Sequence, residues 1–122
     1  MATVKEFVQQ LHLIPGIKSY CLVRPDGKAL AHNFAEVEQV TALILLGGRA
    51  GEAIRKGMGL QHFRHLEMRR VNQEHLLVFP VEQHLLGITQ HMDATTGDLV
   101  EQVGHFLMKF SRPARSAATG LG

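Results

Sequence analysis

The sequence predicts an α+β domain: a five-stranded antiparallel sheet flanked by helices, in the order α-β-β-α-β-β-β-α. Three observations predict it. Amphipathic segments of helical period stand near both ends of the chain, and a long segment rich in small residues fills the middle. Five short runs of strand formers, joined by tight turns, lie between them. A sheet of that kind with helices packed on it is an α+β architecture.

Thr3-Val4-Lys5-Glu6 has the form of a capping box, in which a hydroxyl and a carboxylate satisfy backbone donors reciprocally. Val4, Phe7, Val8 and Leu11 follow at helical spacing and Pro15-Gly16 ends the segment, so residues 3–13 form a short amphipathic helix. Ile17 to Arg24 is rich in strand formers, Pro25-Asp26-Gly27-Lys28 is a turn, and Ala29 to Asn33 returns as the partner strand. Proline presets the first turn position, aspartate bonds locally, and glycine takes positive φ at little steric cost. Residues 35–58 are the longest helical segment. Three strand-like runs come next, Leu60 to Arg70, Glu74 to Val81 and Leu85 to His91, joined around Asn72-Gln73 and Glu82-Gln83 as an antiparallel meander. Thr95 or Thr96 opens a last helix with Leu99, Val103, Phe106 and Phe110 on one face. The domain is expected over residues 3–110. The small, polar segment 111–122 has no apolar period and is expected to be a disordered tail.

The chain has 122 residues, enough for one domain. Its formal charge of +2 is small and its 13 Lys and Arg are scattered, with no aromatic interleaving, which disfavours nucleic acid as a partner. The first residues mix Lys5 and Glu6 among apolar ones and do not read as a signal peptide. The most hydrophobic window, VTALILLGG, is far short of the roughly 20 residues that span a bilayer. The single cysteine, Cys21, sits between apolar neighbours in a strand and reads as a buried structural thiol of a reducing, cytoplasmic compartment.

The glycine-rich stretch GGRAGEAIRKGMG raises the question of a phosphate loop. A Walker loop needs lysine directly before Ser or Thr, and here Gly57 and Met58 follow Lys56. The dinucleotide fingerprint fails too, since Gly57-Met58-Gly59 runs into Leu60, Gln61 and His62. On a helical wheel, Val40, Leu43, Ile44, Gly47, Gly51, Ile54 and Met58 share one side. Ala42, Leu46, Ala50 and Ala53 widen it on one flank. Together they cover roughly 200° of arc, about twice the stripe that one sheet requires. Glycine in a helix interior costs about 1 kcal/mol relative to alanine, and close backbone approach is the physical return. A snug fit to the sheet explains Gly47 and Gly51, but it does not explain the alanine flank. The surplus points to a second contact with a symmetry mate in a dimer. The opposite side carries Glu38, Thr41, Arg49, Glu52 and Lys56 around Leu45. Such a face is ordinarily solvated, and it also fits the centre of a small partner-binding patch.

The segment LHLIPGIKSYCLVRPDGKALAH resembles the opening of the Roadblock family, the dynein light-chain type domains with many bacterial members. The resemblance rests on Ile14-Pro15-Gly16-Ile17, the strand Ser19 to Val23, the Asp26-Gly27 turn and Leu30-Ala31. The central helix running into GMGLQHFRHLEM adds to it, and the likeness covers about residues 3–110. It implies a profilin-like sheet with the long helix on one face and both terminal helices on the other. It also implies homodimers or heterodimers joined through the third strand and the central helix, which sets the seam at Ala42, Leu46, Ala50, Gly51 and Ala53 plus Leu66 and Met68. Several family members bind or regulate Ras-like small GTPases or act as scaffolds, and the family has no shared catalytic or metal site. The implied function is a non-enzymatic regulator or scaffold of such a GTPase with no cofactor; together with the cytoplasmic reading of Cys21 and the helical wheel, this sets Leu45, Arg49, Glu52 and Lys56 as the expected partner patch. The Arg- and His-rich third strand departs from the bacterial pattern, and charged edge strands more often prevent pairing.

No catalytic constellation assembles: Ser19, Ser111 and Ser116 are the only serines, and Asp26 belongs to a turn. His62 and His65 alternate to opposite faces of a strand and cannot chelate together, as do His84 and His91. A metal site built across strands from His62, His75 or His84 is the less favoured alternative to surface histidines. Two rival functions stand beside the regulator. One is a small-molecule sensor, which needs a polar-lined cavity between sheet and helix. The other is an adaptor in a complex without a GTPase.

Overall fold

The computed structural model describes residues 3–61, 63–69 and 74–119, with side chains described as far as Lys109. The elements follow in the expected order: α1 (Val4–Leu11), β1 (Ile17–Val23), β2 (Ala29–His32), α2 (Val37–Met58), β3 (Leu66–Met68), β4 (Leu76–Val81), β5 (His84–Gln90) and α3 (Thr96–Thr119). Thr3 caps α1, its hydroxyl accepting from the Glu6 amide at 3.1 Å. The β1–β2 turn closes through the Arg24 amide on the Lys28 carbonyl at 2.8 Å, with Gly27 at φ +91° and Asp26 accepting from the Lys28 amide. At the far end of that hairpin the Asn33 side chain accepts from the Tyr20 amide at 2.8 Å.

All strand pairs are antiparallel and the sheet order is β2-β1-β5-β4-β3. The last three strands form the expected meander, and β1 docks on β5 to bring the first hairpin alongside. Pro80 lies in β4 opposite Leu85. The ladder joining β3 to β4 stops at Leu66 opposite Val78, so the donor that proline lacks falls where β4 has become an edge.

Strand alternation sorts the side chains into two cores. Tyr20, Leu22, Leu77, Phe79, Leu86 and Ile88 face α1 and α3, where they meet Phe7, Leu11, Leu99 and Val103. Cys21, Val23, Leu76 and Val78 face α2, where they meet Val40 and Ile44. The long helix is thus alone on one face and the terminal helices share the other, as the resemblance implies.

The third strand differs from the expectation. Expected over Leu60 to Arg70, it is three residues long, because the chain leaving α2 first turns back over the helix. Gly59 takes a left-handed φ of 70°, and the amides of Gly59 and Leu60 bond the carbonyls of Lys56 and Arg55. Only Gly in this stretch tolerates that conformation without strain, so the helix stops there. At the other end, α3 is assigned from Thr96 to Thr119. His62, Arg70, Asn72 and Gln73, invoked above for a metal site, the third strand and its turn, lie outside the described residues, as do residues 120–122.

Candidate functional site

The sheet-facing side of α2 is built by removing side chains. A Cβ on Gly47 would stand 3.1 Å from Val78 and 3.4 Å from Leu66, and one on Gly48 would stand 2.4 Å from Leu85. One on Gly51 would stand 2.7 Å from the Phe63 ring. The same close approach is met from the sheet at Gly87, where a Cβ would fall 2.3 Å from Ile44. These contacts fill the space between helix and sheet that a sensor cavity would need.

Part of the expected seam also packs within the subunit. Gly51 is buried against Phe63 of its own chain, so its lack of a side chain is explained within one subunit. Leu66 and Met68 are half-buried, their tips turned toward Gly47 beneath α2. Ala42, Leu46 and Ala53 remain exposed and Ala50 is half-buried, so the alanine flank is uncovered as the wheel predicts. Leu46 is 57% exposed. Ile54 at 48% and Met58 at 72% join it, although the wheel puts both on the sheet side. A helix of 22 residues is about 33 Å long, against about 23 Å for a seven-residue strand, and its last turns outrun the support below. Periodicity tells which residues share a side but not how far the sheet extends. Leu60, in the loop beyond the helix, is 45% exposed. Gly47 points to β3 and β4, which places the flank on the β3 side of α2. There β3 pairs only with β4, and its other edge has no partner among the described residues.

The four residues of the expected partner patch come together. Leu45, Arg49, Glu52 and Lys56 form one wall of an open cleft of about 790 Å³. The facing wall is made by the β1–β2 turn, through Arg24 and Pro25, and the β4–β5 turn, through Glu82, Gln83 and His84. Their roles diverge, however. Leu45 is half-buried in the α2-side core with its tip 3.3 Å from where a Gly27 Cβ would stand, so it anchors the first hairpin's turn. Glu52 is held by Arg55 through two hydrogen bonds of 2.9 and 3.1 Å, and Arg55 also donates to the Leu60 carbonyl at 3.2 Å. That hydrogen-bonded guanidinium holds the Glu52 carboxyl below its usual range. The pair fastens the loop after α2 to the helix end. Among the described residues Arg49 and Lys56 make no hydrogen bond or ion pair, although the Lys56 charge also helps to hold the Glu52 carboxyl down.

The turn residues of the cleft carry no sequence signal of function. Glu82 has φ 58°, a left-handed value that non-glycine residues seldom adopt and that costs of order 1–3 kcal/mol. Cys21 is fully buried, and burial pushes its thiol above the usual range, partly offset by a 3.9 Å contact with Thr41. Among the described residues no three His, Cys, Asp or Glu side chains gather as metal ligands. The His75 ring is half-buried with no partner at Nδ1, and it stands apart from the cleft.

No family model and no curated protein matches the sequence. Solved structures do match its fold. An MglB with a tetrameric arrangement aligns over 96% of this chain and 95% of its own, with a TM-score of 0.70 and 18% identity. A Roadblock/LC7 domain from Streptomyces avermitilis aligns over 88% and 92%, with a TM-score of 0.65 and 19% identity. A profilin, LokiProfilin1, aligns over 89% and 95% with a TM-score of 0.57 and 11% identity. With its order of elements, its single sheet and its helices divided one against two, the chain has the fold of a Roadblock-type domain, within the wider profilin-like architecture.

Proposed function

We propose that this chain is a non-enzymatic, dimeric regulator or scaffold of a Ras-like small GTPase, acting in the cytoplasm. The observation that carries the reading is the outer flank of α2. Its inner side is already filled by the sheet, yet Ala42, Leu46 and Ala53, with Ile54 and Met58, still offer apolar surface beside the open edge of β3. A monomer gains nothing from that arrangement, whereas a two-fold pairing buries the helix strips and extends the sheet edge. The functional half of the reading comes from the Roadblock resemblance, in which such pairs carry or control small GTPases. Arg49 and Lys56, on the solvent side of the same helix, are the exposed charges through which a partner would be held. The domain proper is residues 3–110. No helix among the described residues is long and apolar enough to cross a membrane. The filled contact between α2 and the sheet favours this reading over a sensor.

The test has two parts. Light scattering on the parent chain gives the mass of a dimer, and Ala50→Glu gives a folded monomer; an unchanged mass places the seam elsewhere. The immobilised parent is then offered Ras-like GTPases purified from the source organism, loaded with GDP or with a non-hydrolysable GTP analogue. A regulator retains one nucleotide state by differential affinity and a scaffold retains both. Retention of neither overturns the GTPase reading and leaves an adaptor role.

A further inference from the structure

The cleft beneath the charged side of α2 specifies the chemistry of what it holds. Its floor is apolar, formed by Leu85, Pro80 and Phe63 with Leu45 at one end. On the α2 wall, Glu52 is already neutralised by Arg55, and on the opposite wall Arg24 is paired with Asp26 at 3.2 Å. That leaves Arg49 and Lys56 on the helix, neither in an ion pair or hydrogen bond among the described residues, against Glu82 on the β4–β5 turn. Seven residues apart, Arg49 and Lys56 fall within about 20° of one another around the helix and about 10 Å apart along it. That distance is also the repeat of two helical turns. A second helix laid along α2 reproduces it with carboxylates at positions i and i+7, and its residues at i+3 and i+4 lie between them on the same face, which then meets the cleft.

We propose that this cleft binds an acidic, amphipathic helical segment of a partner protein, with two carboxylates one heptad apart pairing with Arg49 and Lys56 and an apolar residue between them seated on Leu85 and Pro80. This deepens the partner patch of the preceding reading and rests on it. Charge complementarity selects the acid, and the apolar floor selects a peptide over a phosphate chain. Glu82 sets polarity: a carboxylate on the far side of the bound helix is repelled, and a basic residue there is accepted.

The experiment uses the full chain and a fluorescent, alanine-based helical peptide of about 18 residues, long enough to hold helix in water. The peptide carries Glu at i and i+7 and Leu at i+3 and i+4. Fluorescence anisotropy is expected to show saturable binding that weakens with added salt. Replacing both Glu by Lys, or both Leu by Ser, is expected to weaken it at least about tenfold. On the protein side Arg49→Glu and Lys56→Gln are each expected to do the same, with unchanged circular dichroism and mass. Lys56→Gln is chosen because a new carboxylate in the last helical turn would oppose the helix dipole. Absence of binding, equal binding of the Lys peptide, or equal affinity of the Arg49→Glu chain overturns the proposal. So does a single-stranded oligonucleotide whose binding the same substitutions abolish, since the cations then serve phosphate. A GTPase captured equally by parent and Arg49→Glu chains, without peptide binding, removes the cleft assignment alone. Peptide binding with no GTPase captured removes the regulator reading alone.

Discussion

The two faces of the sheet are packed by opposite means. Toward α1 and α3 the space is filled with large side chains: the rings of Phe7 and Phe106 lie 5.1 Å apart, the His12 ring stands edge-on to Tyr20 at 5.3 Å, and Phe79 is buried at the centre. Toward α2 the space is closed by omission, with Gly47, Gly48 and Gly51 on the helix and Gly87 on the sheet letting the backbones approach. The first face is sensitive to lost volume, the second to added volume wherever the neighbour cannot move aside. The difference bears on function as well. A helix seated this close to its sheet leaves its outer side as the available surface, whereas α1 and α3 share the burden of covering theirs.

The largest effect expected from that contrast is at Phe79. Phe79→Ala removes a buried ring from the filled face and should cost about 3–5 kcal/mol in urea unfolding. A loss below about 1 kcal/mol would mean that this face can collapse around the gap. Next is Gly87→Ala, whose Cβ falls 2.5 Å from the Cγ1 methylene of the fully buried Ile44; overpacking of this kind costs about 1–3 kcal/mol. Gly48→Ala sharpens the comparison. Its clash is with the end of the half-buried Leu85 side chain, which can swing away, and the helix gains about 1 kcal/mol in propensity, so the net change should lie near zero. Smallest is Gly57→Ala, where nothing stands within 4 Å of the added methyl and φ is helical; a gain of up to about 1 kcal/mol is expected. A loss there would place Gly57 in a contact the single subunit does not make.

Much of this was legible because local signals agreed with one another. The Thr3 cap, the Asp26-Gly27 turn and the strand formers from Ile17 each follow from a preference that tertiary packing reinforces. The alanine flank was legible because it exceeds what one sheet can cover. Elsewhere the signal was absent. Leu45 reads as an apolar residue stranded among charges, yet it packs on the β1–β2 turn, a segment distant in sequence. Glu52 reads as a surface carboxylate and is a fastening for the loop. No local pattern marks Glu82 or His84 as the opposite wall of a cleft, because turn residues carry no period.

By itself the sequence determined the order of elements, the surplus apolar arc of the central helix, and the failure of the phosphate-loop patterns. These depend on spacing along the chain, which backbone geometry converts directly into direction. The tertiary structure alone decided which apolar residues of α2 stay exposed, which charges are cancelled, and which turns stand across from Arg49 and Lys56. Those depend on where the supporting sheet ends and on contacts between segments far apart in the chain, and no local period encodes either.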